Sequence, residues 1–351
     1  MTTRITTHER PGVYSRYDLS GVVRSGGGKI AALIAKAADG DGTAATLWYT
    51  YAQAAEDLGS GSEMAELARL LFLGGAAAVY GVPVKLDTQY EAAIATAQAL
   101  EDVKLTVCDA TDSTTQKKVA ASVETASENR KERIAVLGGA AGETVTQLVA
   151  RAAELNSERV VLVAPGTLDA EGQAMSGVRC AAAVAGAIAG LGDPALPLGG
   201  AELPGLAGLA SRYSESEIDA LVRGGVTPLE SVGGTVSVVR GVTTRTKTGS
   251  AADASWRELS TILIVDDVIP GIRDSLRARF SRAKNTQQSR GAIRSQVIVE
   301  LENRLAREII AGYEDVTVSA LPDDPEVCLV EFSFTVTHGL NQIWLSAHIS
   351  I

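Results

Sequence analysis

Three short runs between residues 103 and 163 decide the fold: VKLTVC (103–108), IAVL (134–137) and VVLV (160–163). They are rich in β-branched residues and nearly continuously apolar, as strands buried on both faces are. Between them lie helical windows, Thr115–Ser127 and Glu143–Leu155. Upstream the same alternation gives a strand at Ala77–Val84, flanked by helical windows Ser62–Leu73 and Thr88–Leu100, with Ser62 placed to cap the first. Strands alternating with helices at this spacing predict a three-layer α/β domain with a largely parallel sheet over residues 29–190.

Working outward, 191–205 is a Pro/Gly-rich connection. A short helix follows, with Ser214 as N-cap and Glu217 at the capping-box position, ending at Gly224-Gly225. Two β-rich runs, Thr235–Val242 and Thr261–Val265, flank a polar loop, Thr244–Ser255. Helices are expected over Asp267–Arg282 and Ser289–Ile310, the second carrying the row Ile293, Val297, Leu301, Leu305 and Ile309 at i, i+4 spacing. Three strand candidates close the chain: Val316–Ser319, Val327–Thr337 and Asn341–Ile351. Residues 191–338 thus predict an α+β domain, and 339–351 a terminal strand. At the other end, 1–28 reads as an extended arm with a turn at Arg10-Pro11-Gly12 and a joint at Gly26-Gly27-Gly28.

Charge is segregated along the chain. Residues 273–294 carry seven bases and one acid, a net of +6, whereas 308–351 carry seven acids and no lysine or arginine. Residues 1–29 have a net of +3. Such segregation marks surfaces that meet other chains, since net charge steers association rather than choosing a fold. The overall net charge of −10 argues against a nucleic-acid binder, which needs a broad basic face. Cys108, Cys180 and Cys328 are far apart and form no metal spacing; they read as reduced thiols. His8, His338 and His348 lie near the termini, away from any carboxylate cluster. Met1–Arg10 is polar, unlike a signal peptide, and no run is apolar enough to span a bilayer, Cys180–Leu191 included.

Three motifs invite catalytic readings and fail them. Gly26-Gly27-Gly28-Lys29 resembles the end of a phosphate loop, but Val23 stands where the first glycine belongs and Ile30 where a hydroxyl must hold magnesium. Gly138-Gly139-Ala140-Ala141-Gly142 joins a strand to a helix, yet its spacing is not G-x-G-x-x-G and no acid closes a second strand about 20 residues on, where Val160–Val163 runs into Pro165. Asp266-Asp267 has no His or Cys nearby to complete a metal site and is expected to cap a helix. No cofactor is implied, and an enzyme finds little support. The rival to a structural role is an α/β nucleotide-dependent enzyme using the 29–190 sheet, with its ligand at the turn 138–142.

A family resemblance favours the structural role. Glu9-Arg10-Pro11-Gly12-Val13-Tyr14, Gly225-Val226-Thr227-Pro228-Leu229, Val238–Thr246 and Phe280-Ser281-Arg282-Ala283-Lys284-Asn285-Thr286, in that order, resemble contractile tail sheath proteins of bacteriophages, prophage remnants and phage-tail-like bacteriocins. The likeness covers the termini and roughly 196–351; the α/β region matches by order of elements, and the chain is short for the family. The resemblance implies hexameric rings stacked helically around an inner tail tube, between baseplate and tail-terminator proteins, in a virion tail or bacteriocin particle assembled in the host bacterial cytoplasm. It implies contraction that drives the tube through a target envelope, with no nucleic acid bound and no membrane insertion by the sheath. It also implies strands exchanged between subunits, expected here at Val13, Tyr14, Val330, Phe332, Phe334, Ile343, Leu345 and Ile349. The cations Arg277, Arg279, Arg282, Lys284, Arg290 and Arg294 are expected to face the tube, which makes 191–338 the inner domain and 29–190 the outer one.

Overall fold

The computed structural model describes residues 28–321 and 324–341. The body runs β1 (Ile30–Lys36), β2 (Thr46–Trp48), α1 (Tyr51–Leu58), α2 (Glu63–Gly74), β3 (Ala78–Val84), α3 (Tyr90–Ala99), β4 (Val103–Cys108), α4 (Ser113–Glu128), β5 (Ile134–Gly138), α5 (Val145–Leu155), β6 (Val160–Ala164), α6 (Val178–Gly190), α7 (Glu215–Arg223), β7 (Val226–Val232) and β8 (Thr235–Val238). A small hairpin, β9 (Lys247–Thr248) and β10 (Ala251–Ala252), leads to α8 (Leu259–Phe280), α9 (Gln287–Ala306), β11 (Ile310–Leu321) and β12 (Asp324–Val336).

One eight-stranded sheet, ordered β2-β3-β1-β4-β5-β6-β7-β8, forms the middle layer. Its six central strands are parallel, and β2 and β8 close the two edges antiparallel. Alternation along each strand divides the core in two. Leu33, Leu105, Val136 and Val163 face α2 and α6. Ile34, Cys108, Leu137 and Leu162 face α3, α4 and α5. The α/β class expected from 103–163 therefore holds.

The expected boundary at 190/191 falls inside this unit rather than at its edge. β7 pairs with β6 through Leu162↔Val226, and Leu198, Leu203, Leu229, Val236 and Val238 belong to the sheet's core. The stretch 178–190, too weakly apolar to span a membrane, is the most enclosed helix of the body, with ten of its residues buried. Small side chains permit this. Gly186 lies against the α2 backbone so closely that an added Cβ would stand 2.9 Å from the Leu70 carbonyl oxygen.

The expected strand Thr261–Val265 is helical. Its β-branched residues suggest a strand by propensity, but Leu259, Ile262 and Leu263 pack on the sheet while Ile264, Val268 and Ile272 pack on α9. A segment enclosed on both sides can be helical with apolar residues all round. α8 therefore starts eight residues before the expected Asp267, and Asp266-Asp267 lies within it rather than at its cap. The third core joins α8, α9 and the β11–β12 hairpin, with Val297, Leu301 and Ile309 fully enclosed.

Candidate interaction surfaces

The turn 138–142, where the enzyme reading needs a phosphate, is already filled by a carboxylate. Glu143 Oε2 accepts the Ala140 N–H at 2.7 Å, and Arg151 Nη2 lies 2.6 Å from Glu143 Oε1. Arg151 also donates to the Thr111 carbonyl and to Gln116. Gly138 abuts Gly177, since a Cβ there would stand 2.3 Å from the Gly177 carbonyl carbon, and the cavity beside the turn holds only about 30 Å³. The other customary ligand crevice of such sheets is the point where strand order reverses, between β1 and β4. There Asp109 accepts the Lys36 N–H at 2.7 Å and the Tyr90 hydroxyl at 2.5 Å. Burial pushes the Asp109 carboxyl above its usual range, and burial together with this bond raises Tyr90. Among the described residues no group of three or more His, Cys, Asp or Glu is placed to hold a metal, and no helix is long and apolar enough to cross a membrane.

The basic run divides by function. Arg273 pairs with Glu132 of the body at 2.8 Å. Arg277 and Arg279 occupy the last turn of α8, where cations complement the helix dipole. They and Arg282 and Lys284 in the following turn are exposed, and no salt bridge joins them to other described residues. Arg290 donates to Asn285 Oδ1 at 2.8 Å and Arg294 to the Val316 carbonyl at 2.8 Å. Asn285 in turn donates to the Val327 carbonyl at 3.2 Å, tying the α8–α9 turn to β12. Four of the six expected tube-facing cations thus form a free patch at this tip, and two also brace it.

The hairpin is longer than the expected runs 316–319 and 327–337. β11 has 12 residues and β12 has 13, paired antiparallel through Tyr313↔Phe334 and Val318↔Val330. Val330, Phe332, Phe334 and Val336 pack against the third core, with the rings of Phe332 and Phe334 stacked 6.2 Å apart. Val330, Phe332 and Phe334, expected at the exchange interface, are half-buried and pack against the third core of their own subunit. What the hairpin leaves open is backbone: among the described residues no third strand pairs with either outer edge. Glu314, Asp315, Asp324, Glu326 and Glu331 are exposed along it. Val13, Tyr14, Ile343, Leu345 and Ile349 lie outside the described residues. The β11 edge gave no sequence signal beyond Val316–Ser319, because its Gly312 and its acidic positions dilute the alternation.

Comparison with known proteins agrees with this arrangement. Residues 87–244 match the phage tail sheath protein central domain and 251–350 the phage tail sheath C-terminal domain. The seam between the two matches coincides with the β9–β10 excursion, beyond the last strand of the large sheet. The tail sheath protein of Bacillus phage SP01 is 28% identical over 228 residues, which cover 63% of this chain and 39% of the relative. The chain thus spans well under half the length of that relative. A chain of the anti-feeding prophage helical sheath in its contracted state superposes with a TM-score of 0.72 at 14% identity, covering 98% of this chain and 100% of the other. The sheath tail protein of Desulfitobacterium hafniense gives 0.69 at 12% identity, with 93% and 100% covered. With both sheath domains matched in order and the fold shared throughout, the chain belongs to the phage tail sheath family.

Proposed function

We propose that the chain is the structural, non-enzymatic subunit of a contractile sheath. Copies stack as hexameric rings around an inner tube, held between a baseplate and a terminator, in a virion tail or bacteriocin particle assembled in the host cytoplasm. Contraction drives the tube through the target envelope. The observation that carries this reading is the β11–β12 hairpin, whose long strands have no partner on either outer edge among the described residues, where strands from neighbouring copies would add. Each main-chain hydrogen bond contributes about 0.5–1.5 kcal/mol net, so a donated strand supplies several kcal/mol per joint. The terminal segments 1–28 and 339–351 are the donors in this scheme, bearing Val13 and Tyr14 and Ile343, Leu345 and Ile349. Heterologous contacts of this kind close into rings where the rotation permits and otherwise run on as helical assemblies.

Negative-stain microscopy of the purified chain tests the reading. Rings or striated tubes are expected; compact single particles, with melting raised by nucleotides, would instead support the enzyme. Removing residues 341–351 is expected to leave soluble monomers with the body folded. Tubes formed by that truncated chain would sink the donated-strand scheme.

A further inference from the structure

Two motifs that fail as catalytic sequences, Gly28-Lys29 and Asp266-Asp267, meet in one cleft. It lies at the N-terminal ends of the sheet strands, has a volume of about 230 Å³, and is lined by Lys29, Lys104, Glu132, Leu191, Asp266 and Asp267 among others. Lys29 is the residue through which 1–28 enters the sheet, and its ammonium is not free. Nζ donates at 3.0 Å to the Ile188 carbonyl and at 3.0 Å to the Leu191 carbonyl, at the C-terminal end of α6. Its backbone is held as well: Lys29 N donates to Ala189 O at 3.0 Å and Lys29 O accepts from Ala77 N at 3.1 Å. Gly28 is wedged beside it, since a Cβ there would stand 2.8 Å from the Gly75 carbonyl oxygen.

The opposite wall is α8. Arg159, just before β6, makes a two-pronged bond to Asp266, Nη1 to Oδ2 at 2.9 Å and Nη2 to Oδ1 at 3.0 Å. Both side chains are nearly enclosed, at 13% and 15% exposure. Arg304 of α9 bonds the Asp267 carboxylate at 3.0 Å and its carbonyl at 3.0 Å. One turn and a half on, Arg273 reaches Glu132. α8 thus joins the sheet's core through Leu259, Ile262 and Leu263 and the tip's core through Ile264, Val268 and Ile272, with an ion-pair clasp between them. Burial lowers the Lys29 ammonium while the charge of Asp267 opposes that, so the two walls sense each other electrostatically.

We propose that this cleft is a mechanical joint: Lys29 pins the root of the N-terminal segment to the end of α6 on one wall, and the Arg159–Asp266 clasp pins α8 on the wall that faces it. Segment root, sheet and tip then move as one piece. The linkage is a property of a single chain. Its purpose, passing tension on the N-terminal segment to the α8–α9 tip, rests on the sheath reading.

Hydrogen exchange on the full-length chain tests the joint, because coupling between two sites is reciprocal. Lys29→Met keeps the aliphatic stem and removes the donors. It is expected to speed exchange at least threefold in residues 262–270 of α8, as well as at 29–32. Asp266→Asn is expected to speed exchange at 29–32 and 188–191, and the melting shifts of the two substitutions are expected to be non-additive in the double variant. Lys29→Arg keeps donors and charge and is expected to restore α8 protection. Exchange confined to each variant's own wall, with additive melting shifts, would overturn the joint. Should Lys29→Met not fold, the Asp266→Asn exchange at 29–32 decides alone. Absence of tubes from the unmodified chain would overturn the sheath reading and leave these exchange results standing.

Discussion

Asp109 is a carboxylate kept at a cost. Burial raises its pKa, and the hydrogen bonds from Tyr90 and Lys36 offset the rise only in part. A carboxyl with a higher pKa folded than unfolded holds its proton more tightly in the folded state. Its contribution to stability is therefore lost as pH rises from the unfolded value of 3.8 through the raised folded one. Asp109→Asn removes that titration. The stability of the variant relative to the parent is expected to improve as pH rises above 3.8 and then to level off, read by urea midpoints from acid to neutral pH. A difference that stays constant with pH would show that Asp109 is not the group responsible. Asp266 is raised in the same direction but is present in both proteins, so the comparison isolates Asp109. At this scale the sequence was legible where chemistry is local. Ser62 accepts the Ala65 N–H, and Ser214 with Glu217 forms the capping box their spacing implied. Arg159 and Asp266 were illegible as a pair because their 107-residue separation leaves no local signal.

Elements were legible where periodicity was strong and unshared. The i, i+4 row placed a buried stripe on α9, with Val297 and Leu301 at 0% exposure, while Ile309, also at 0%, lies just past the helix end at Ala306. β1 was missed because alanines thin its apolar run to IAALIAK, and its strand identity comes from pairing with both β3 and β4. α8 was misread at its start because a helix shared by two cores loses its polar face, leaving only a propensity that tertiary packing overrides. The same sharing predicts a division of stability. Leu301→Ala empties a fully enclosed position in the third core and is expected to cost about 2–5 kcal/mol in that core. Hydrogen exchange is expected to accelerate across α9, the hairpin and the second half of α8, while β4, β5 and β6 keep their protection. Uniform acceleration throughout the body would show instead that the three cores unfold as one cooperative unit.

On the scale of the whole molecule, an acidic chain of net charge −10 displays Arg277, Arg279, Arg282 and Lys284 together, exposed and outside any salt bridge with described residues. Cations held by a packed tip and left unneutralised are suited to an anionic surface, which in the sheath reading is the tube. Each exposed ion pair is worth only about 0–1 kcal/mol. Such contacts suit a surface that must hold a tube through many equivalent copies and then let go. Reversing Arg279, Arg282 and Lys284 to Glu is expected to leave the monomer nearly as stable as before, because exposed substitutions away from packed features shift stability by about 0.5 kcal/mol or less. Growth of extended sheath on tubes is expected to fall sharply. Raised salt is expected to weaken the parent's growth on tubes in the same direction, since screening acts on exposed charges. The two measurements separate causes: a loss of monomer melting temperature would indicate a damaged tip, whereas normal melting with failed growth locates the defect at the tube contact. Extended sheaths that grow on tubes at the parental rate despite the reversal would remove the tip from the tube-facing surface, and with it the reason for placing residues 191–338 innermost.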